Sequence, residues 1–368
     1  MMQASRRKFL SLVGGGAVLA VALPATAFLT TRTPTKALAP WDMAGQYPDP
    51  RLRALSFALL APNPHNLQPW EAELIGADEV LIWRDPTRDL PATDPHARQL
   101  TIGMGCFLEL MDVAAAQEGF AVDTALFPEG PSGPVARCRF VPDASSPDPL
   151  FAHVLERRSH KELFSERAVE ATASISALGS VVTMPEPLNR LKTLAKDAWM
   201  VEVTTPATWQ ESVDLLRIGK RQINANPDGI DVGGPMMDSL KLAGLLTHEA
   251  AADIDNPGTR QSIDAMLAAV DSAPAMILQT TAGNTREDQI AAGRRWLRLN
   301  LTTTAQGMAL RPVSQALQEY SEMSALYTAI HAEFAEPGET VQMLGLLGYA
   351  EQTPRTPRWP LETRLRNA

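Results

Sequence analysis

The chain has 368 residues, 45% of them apolar, and 33 Lys and Arg against 42 Asp and Glu give a net charge of -9. That length and apolar content allow one large core or two modest ones, which excludes the disordered class. Lys and Arg are interspersed with Asp and Glu rather than gathered into a stripe, so there is no basic field for a phosphate backbone and no nucleic-acid partner is expected.

The amino-terminal residues read as an address. Ser5-Arg6-Arg7-Lys8-Phe9-Leu10 sets a twin arginine before an apolar stretch, Leu12 to Leu23, that is short for a membrane span of ~20 residues. Ala25-Thr26-Ala27 offers a small-x-small cleavage site, so residues 1–27 are expected to be a twin-arginine signal peptide and the protein to be exported, periplasmic, or anchored if the signal stays uncut. The twin-arginine export machinery is then a partner, and because that route carries folded proteins, a cofactor inserted before export is expected. Residues 28–48, rich in Thr and Pro and without periodicity, read as a linker.

From Asp49 the spacing of Leu52, Leu55 and Leu59 predicts a helix that Pro62 stops. Short strands follow at 71–74 and 80–83, then a strongly periodic helix from Arg98 to Glu118 ended by Gly119, and an alternating strand near Val135. Pro142 to Pro149 is the clearest internal boundary, dividing a first half (49–148) from a second (149–368). In the second half helices are predicted near 150–157, 169–178, 209–224 and 286–306, and strands near 200–204, 275–280 and 341–347. Without regular βαβ alternation, the fold class is α+β rather than a doubly wound sheet.

Three segments carry candidate chemistry. Ala61 to Trp70, APNPHNLQPW, concentrates Asn63, His65, Asn66 and Gln68 between prolines; such a loop can present donors and acceptors to a flat heterocycle, and equally can be a well-capped turn. In LERRSHKELF, Arg157, Ser159 and Lys161 alternate, which in an extended segment sends them to one side, as a phosphate site or as a solvated charge cluster. The helix from Gln289 runs out through Pro312-Val313-Ser314, an apolar loop able to cover one face of a ring, and PRTPRWPLE adds Arg355 and Arg358. No GxSxG, HExxH or P-loop is present, and the six histidines lack ligand spacing, so hydrolase and metal readings have no support and no metal is expected. Cys106, within GMGCFLELM, reads as a small buried hydrophobe rather than one half of a disulfide with Cys138.

APNPHNLQPW resembles the P-S-x-x-N-x-QPW segment of the nitroreductase superfamily, and RRSHKELF resembles its R-R-S-x-R/K-x-F segment; the exit RPVS, the LLGY strand and PRTPRWPLE are similar to its carboxy-terminal order. NxQPW preceding RRS, together with Asp94 and Arg98 in DPHARQL, is similar to the Acg-type flavoproteins, single chains that mimic a two-chain dimer. The resemblance implies a nitroreductase-like, internally duplicated pseudo-dimer with one FMN site between the halves, and a monomer or weak homodimer. It implies that Arg157 and Ser159 hold the FMN phosphate, that Lys161 faces the pyrimidine end, that Asn63, His65, Asn66 and Gln68 approach from the other half, and that Arg355 and Arg358 close the phosphate end. The family serine is Asn63 here, a departure from the pattern. The implied function is FMN-dependent oxidoreduction of a small planar acceptor, with the chemistry on the flavin and no catalytic side chain. The alternative is FMN sequestration under a lid, for which Asn224 to Leu246 is the candidate segment; an ordinary packed surface helix is the other reading of that stretch.

Overall fold

The structure, a computed structural model, describes residues 31–143 and 147–366. The signal sequence, and residues 144–146 of the predicted boundary, lie outside the described residues. In chain order the longer elements are α1 (Thr35–Met43), α2 (Pro50–Ala58), β1 (Trp70–Ile75), β2 (Glu79–Arg84), α3 (Arg98–Gln117), β3 (Phe120–Leu126), β4 (Ala136–Pro142), β5 (Ser180–Val182) and α4 (Pro185–Thr204). They continue as α5 (Pro206–Asp214), β6 (Leu216–Ile218), α6 (Gly219–Ala225), β7 (Ile230–Val232), α7 (Pro235–Leu242), α8 (Pro257–Ser272), β8 (Ala275–Thr281), α9 (Arg286–Ala305), β9 (Ala309–Pro312), α10 (Ser324–Phe334) and β10 (Thr340–Gly348).

The architecture is α+β, with two antiparallel four-stranded sheets ordered β1-β2-β4-β3 and β5-β8-β10-β9, and a small parallel pair β6-β7. Taken in their own chain order, the strands of each large sheet run first, second, fourth, third. Each sheet also carries a 20-residue helix between its second and third strands, α3 in one and α9 in the other. These two helices pack together at a pair of glycines in matching places, Gly105 seven residues into α3 and Gly293 seven residues into α9. A Cβ on Gly105 would fall on the carbonyl of Ile290, and one on Gly293 on the carbonyl of Ile102, so only glycine permits this approach.

Local chemistry starts these helices. Asp94 accepts from the backbone N–H of Gln99 (3.1 Å) and Leu100 (2.9 Å), satisfying orphan donors at the start of α3. Thr285 and Asp288 form a reciprocal capping box at the start of α9. One core surrounds α3, α9 and the first sheet and takes in residues from Trp41 to Leu361, while a second joins α4, α8 and the second sheet. The first sheet comes wholly from residues 70–142 and the second from 180–348, yet the cores do not divide at that boundary.

Several elements differ from the sequence expectations. The supposed linker contains α1, with Ala37, Pro40 and Trp41 buried; nine residues are too few for a clear periodicity. Residues 200–204, expected as a strand, end helix α4, whose Leu188, Leu191, Leu194 and Ala198 keep helical spacing into the core, so packing overrides the β-branched run. The single helix expected over 209–224 is α5, β6 and α6, broken where Gly219 takes φ +76°. The helices expected at 150–157 and 169–178 shrink to a 3₁₀ turn at Pro149–His153 and a four-residue helix at Ala173–Ser176, and β3 was not anticipated.

Candidate functional site

A cavity of about 290 Å³ is walled by residues from both sides of the 142–149 segment, close to the lower end of the roughly 300–1,000 Å³ usual for small-molecule sites. Its wall is drawn from the 62–66 loop, one face of α3 (Gln99, Ile102, Gly103, Cys106), Trp296 of α9, residues 157–161, the β9 exit and the carboxy-terminal segment.

The 62–66 loop is a strained structure held by its own amides. His65, Asn66 and Gln68 all take left-handed φ (47°, 54° and 54°), a conformation costing on the order of 1–3 kcal/mol at a non-glycine residue. Asn63 Oδ1 accepts from the Gln68 backbone N–H (2.7 Å) and its amide donates to the Ala61 carbonyl (3.2 Å). Gln68 donates to Asn66 O (3.2 Å) and Pro227 O (2.8 Å) and accepts from the Trp359 backbone N–H (2.8 Å). Fully buried, Gln68 sits behind the wall and braces it instead of lining the cavity. Asn66 lines the cavity while joining its amide to Pro357 O (3.1 Å) and to Arg358 (2.6 Å).

Positive charge gathers at one end. The Arg157 guanidinium donates to Asn300 Oδ1 (2.9 Å) and Leu60 O (2.7 Å). Arg358 donates to Asn66 Oδ1, Thr356 Oγ1, Pro357 O, Leu60 O and Ala61 O, and Arg158 to the carbonyls of Leu155 and Arg157. Every one of those acceptors is a neutral oxygen, and no carboxylate pairs with the three groups among the described residues. Burial, then repulsion from a neighbouring guanidinium, pushes Arg157 (from Arg158) and Arg158 (from Arg355) down to about 10 and Arg358 (from Arg157) to about 9, the neighbouring Asp231 easing the last only partly. The Nε atoms of all three are buried without an acceptor, as is Nδ1 of His65. Trp41 softens the accumulation, its ring lying 4.9 Å from the Arg158 guanidinium and 5.8 Å from that of Arg358. A site of this kind is built for an anion, because isolated buried charge is otherwise costly.

Of the residues singled out from the sequence, the structure brings Asn63, His65, Asn66, Arg157, Ser159, Lys161, Pro312, Ser314 and Arg358 to this one cavity. Lys161 lines it while paired with Asp231 (2.7 Å), so its charge is already partnered. Three others stand elsewhere. Gln68 is behind the loop; Val313 is buried in the second core with its N–H on Leu344 O (2.9 Å); and Arg355 turns outward to Asp42 (2.8 Å). Asp94 and Arg98 are structural: Asp94 caps α3, and fully buried Arg98 clamps Leu317 O (2.6 Å), Gln342 and Glu319. Sequence reasoning missed Trp41, Arg158, Gln315 and Gln318. The stripe Gln99, Ile102, Gly103 and Cys106, at helical spacing, was the one unused signal. Both cysteines are free and buried, Cys106 held up at about 12 by that burial.

A second, more open cavity of about 610 Å³ lies between residues 87–92 and α5. Its two arginines already have carboxylate partners, Arg88 on Asp228 (2.9 Å) and Asp85 (3.1 Å) and Arg217 on Asp228 (2.8 Å), so it offers an anion much less.

No family model matches the chain. It is 27% identical over 311 residues to two Mycobacterium tuberculosis proteins, from strains CDC 1551 and H37Rv, each named a putative NAD(P)H nitroreductase, spanning 80% of this chain and 84% of theirs. These relatives support a place in the nitroreductase superfamily. Among solved structures, a putative nitroreductase from Anabaena variabilis is 11% identical and matches 89% of this chain and 91% of its own at a TM-score of 0.34. The FMN-dependent nitroreductase NfnB of Mycobacterium smegmatis, in complex with NADPH, is 18% identical and matches 60% of this chain and 98% of its own at 0.36. Both structural likenesses are slight.

Proposed function

We propose that the chain is an exported oxidoreductase of the nitroreductase type that holds FMN in the cavity between its halves and acts on a small planar acceptor. The observation that carries this reading is the set of three guanidinium groups, Arg157, Arg158 and Arg358, facing one cavity with neutral partners only and with buried Nε donors left over. FMN fits that chemistry: a phosphate supplies the missing negative charge, and an apolar wall of Ile102, Gly103, Cys106, Trp296, Pro312 and Met343 suits a flat ring. When bound, FMN would supply the hydride or electron chemistry.

The chain's own residues then have distinct tasks. Arg157, Arg158 and Arg358 bind the phosphate. His65, kept neutral by burial against the opposing pull of Glu211, offers its free Nδ1 to the ligand. Asn63 and Gln68 hold the strained loop so that this atom is placed before any ligand arrives. Lys161, tied to Asp231, puts an ion pair on the wall, with a smaller net field than a free ammonium would give.

Export rests on Ser5-Arg6-Arg7-Lys8-Phe9-Leu10, and the redox reading on the resemblance of the two motifs and on the NAD(P)H nitroreductase names of the relatives. The test is anaerobic addition of NADPH, then dithionite, to the FMN-loaded protein, with a nitroaromatic or quinone as acceptor. Bleaching by NADPH and reoxidation by the acceptor support the reading. Bleaching by dithionite alone, with no turnover, would replace it with flavin sequestration.

A further inference from the structure

At the end of the cavity away from the arginines, two buried amides have atoms left without partners. Gln318 (4% exposed) turns its Nε2 to the carboxyl of Glu202 (2.8 Å), which does not line the cavity, so Oε1 is the amide atom on the cavity side, buried and without a donor. Gln99 (8% exposed) also lines the cavity, and its Nε2 is buried without an acceptor. The two residues are brought close because Arg98 donates to the Leu317 carbonyl (2.6 Å). Buried polar atoms are normally partnered, so this pair points to a ligand. Cys106, whose thiol feels the Arg157 charge, lies two turns further along the same face of α3, which puts roughly 10 Å between the glutamine end and the arginine end. That separation suits one ligand with a ring system between its anion and a polar edge. An acceptor beside a donor matches an N–H next to a carbonyl, the lactam edge that a flavin ring carries.

Which atom Gln318 offers is decided behind the wall, by Glu202 of α4. An ionised carboxylate only accepts, so it holds the amide nitrogen and leaves Oε1 to the cavity, the arrangement in the structure. A protonated carboxyl has an O–H to donate; the amide meets it by turning over about its last torsion, and Nε2 then faces the cavity. Glu202 is satisfied in either state, and only the atom shown to the cavity changes. Burial, with repulsion from Glu211 of α5, holds this carboxyl up at about 7, so both states are populated near neutral pH. Other groups on the surrounding elements are engaged, neutral or exposed. Glu211 accepts from Thr93 Oγ1 (2.6 Å), Glu319 pairs with Arg98 (3.3 Å), and Asp214, Glu322, Asp271 and Glu333 are exposed. Burial keeps the Tyr320 and Tyr327 hydroxyls protonated and lowers His331 and, on the cavity wall, His65.

We propose that Glu202 is a positioning residue whose proton sets the polarity of the glutamine end of the cavity: ionised, it makes Gln318 an acceptor for a ligand N–H, and protonated, it makes Gln318 a donor. The flavin as ligand rests on the function proposed above; the coupling of Glu202 to Gln318 does not.

The experiment reads that coupling with and without ligand. In ligand-free full chain labelled with ¹⁵N-glutamine, the Gln318 side-chain amide resonances, identified by their loss in Gln318→Met, move with pH with a midpoint near 7 and stay fixed in Glu202→Gln. Riboflavin carries the lactam edge and has no phosphate to titrate. Its binding, followed by fluorescence quenching, is roughly three- to tenfold tighter at pH 8 than at pH 5.5, the effect of one hydrogen bond gained or lost. 3-Methylriboflavin, which lacks the N–H, shows no such change, and neither does riboflavin with Glu202→Gln. Amide resonances that do not move, or that move in Glu202→Gln as in the wild type, overturn the proposal. So does riboflavin binding that is flat with pH, or an equal pH dependence for both flavins. A Glu202→Gln variant that weakens both flavins alike while keeping the wild-type pH dependence reduces Glu202 to a structural part and also overturns it. Amide resonances that move as expected, with neither flavin binding at any pH, uphold the coupling and sink the flavin reading instead.

Discussion

Replacing Arg358 by Gln separates the two things this residue does. Its guanidinium makes five hydrogen bonds to neutral oxygens, fixing residues 356–358 against the 60–66 loop, and it brings uncompensated charge beside Arg157 and Arg158. In the ligand-free protein the lost donors destabilise by about 1–3 kcal/mol for each acceptor left buried and bare. Relief of a buried, repelled charge acts in the opposite direction and offsets part of that cost. With ligand the balance is different, since a charge-assisted hydrogen bond to phosphate contributes about 1.5–3 kcal/mol, or roughly ten- to 150-fold in Kd. Arg358→Gln is therefore expected to weaken FMN by that factor and to leave riboflavin, which has no phosphate, unchanged. Quenching of flavin fluorescence on titration with protein measures both constants. Equal weakening of FMN and riboflavin, or no loss for either, would refute the argument that these cations face a phosphate.

Other expectations follow from the same geometry. Burial pushes the Glu202 carboxyl up to about 7, against hydrogen bonds from Gln318 and Gln315. An acid whose folded pKa is raised stays protonated while the unfolded chain ionises, so stability falls as pH rises from the ordinary carboxylate range to about 7 and is level beyond it. Glu202→Gln should flatten that slope, raising Tm at pH 8 more than at pH 5 in thermal melts; an unchanged slope would count against the burial argument. Gly293→Ala puts a methyl group on the Ile102 carbonyl and should cost about 1–3 kcal/mol or more in denaturant unfolding, with Gly105→Ala comparable because the two glycines face each other. Asp94→Ala removes the acceptor of two N–H groups at the start of α3 and should cost about 0.5–2 kcal/mol in the same assay, without altering FMN affinity.

What could be read in the sequence was what is local. The α3 and α9 helices announce themselves by periodicity over 20 residues, and β1, β2, β8 and β10 by alternation or apolar runs between turns. The alternating Arg157, Ser159 and Lys161 do reach one cavity, as an extended segment should make them. The pairing of Lys161 with Asp231, the withdrawal of Gln68 to a brace and the outward turn of Arg355 depend on residues 70, 159 or 291 and 313 positions away. No local pattern encodes those distances. Trp41 is the clearest case: a tryptophan in an apparently structureless stretch becomes a hub, its indole N–H on Thr356 O (2.8 Å), 315 residues on. The matching order of the two sheets was likewise invisible, because strand order and the glycine crossing are set by contacts between residues far apart in the chain.

The most direct test of the central claim is FMN retention. The purified full chain, incubated with FMN and desalted, should keep flavin absorption bands near one equivalent per chain, and an Arg157→Gln/Arg358→Gln variant that melts as a folded protein should lose them. A wild-type chain that emerges colourless, or a double variant that holds FMN as firmly as the wild type, would contradict the assignment of this cavity.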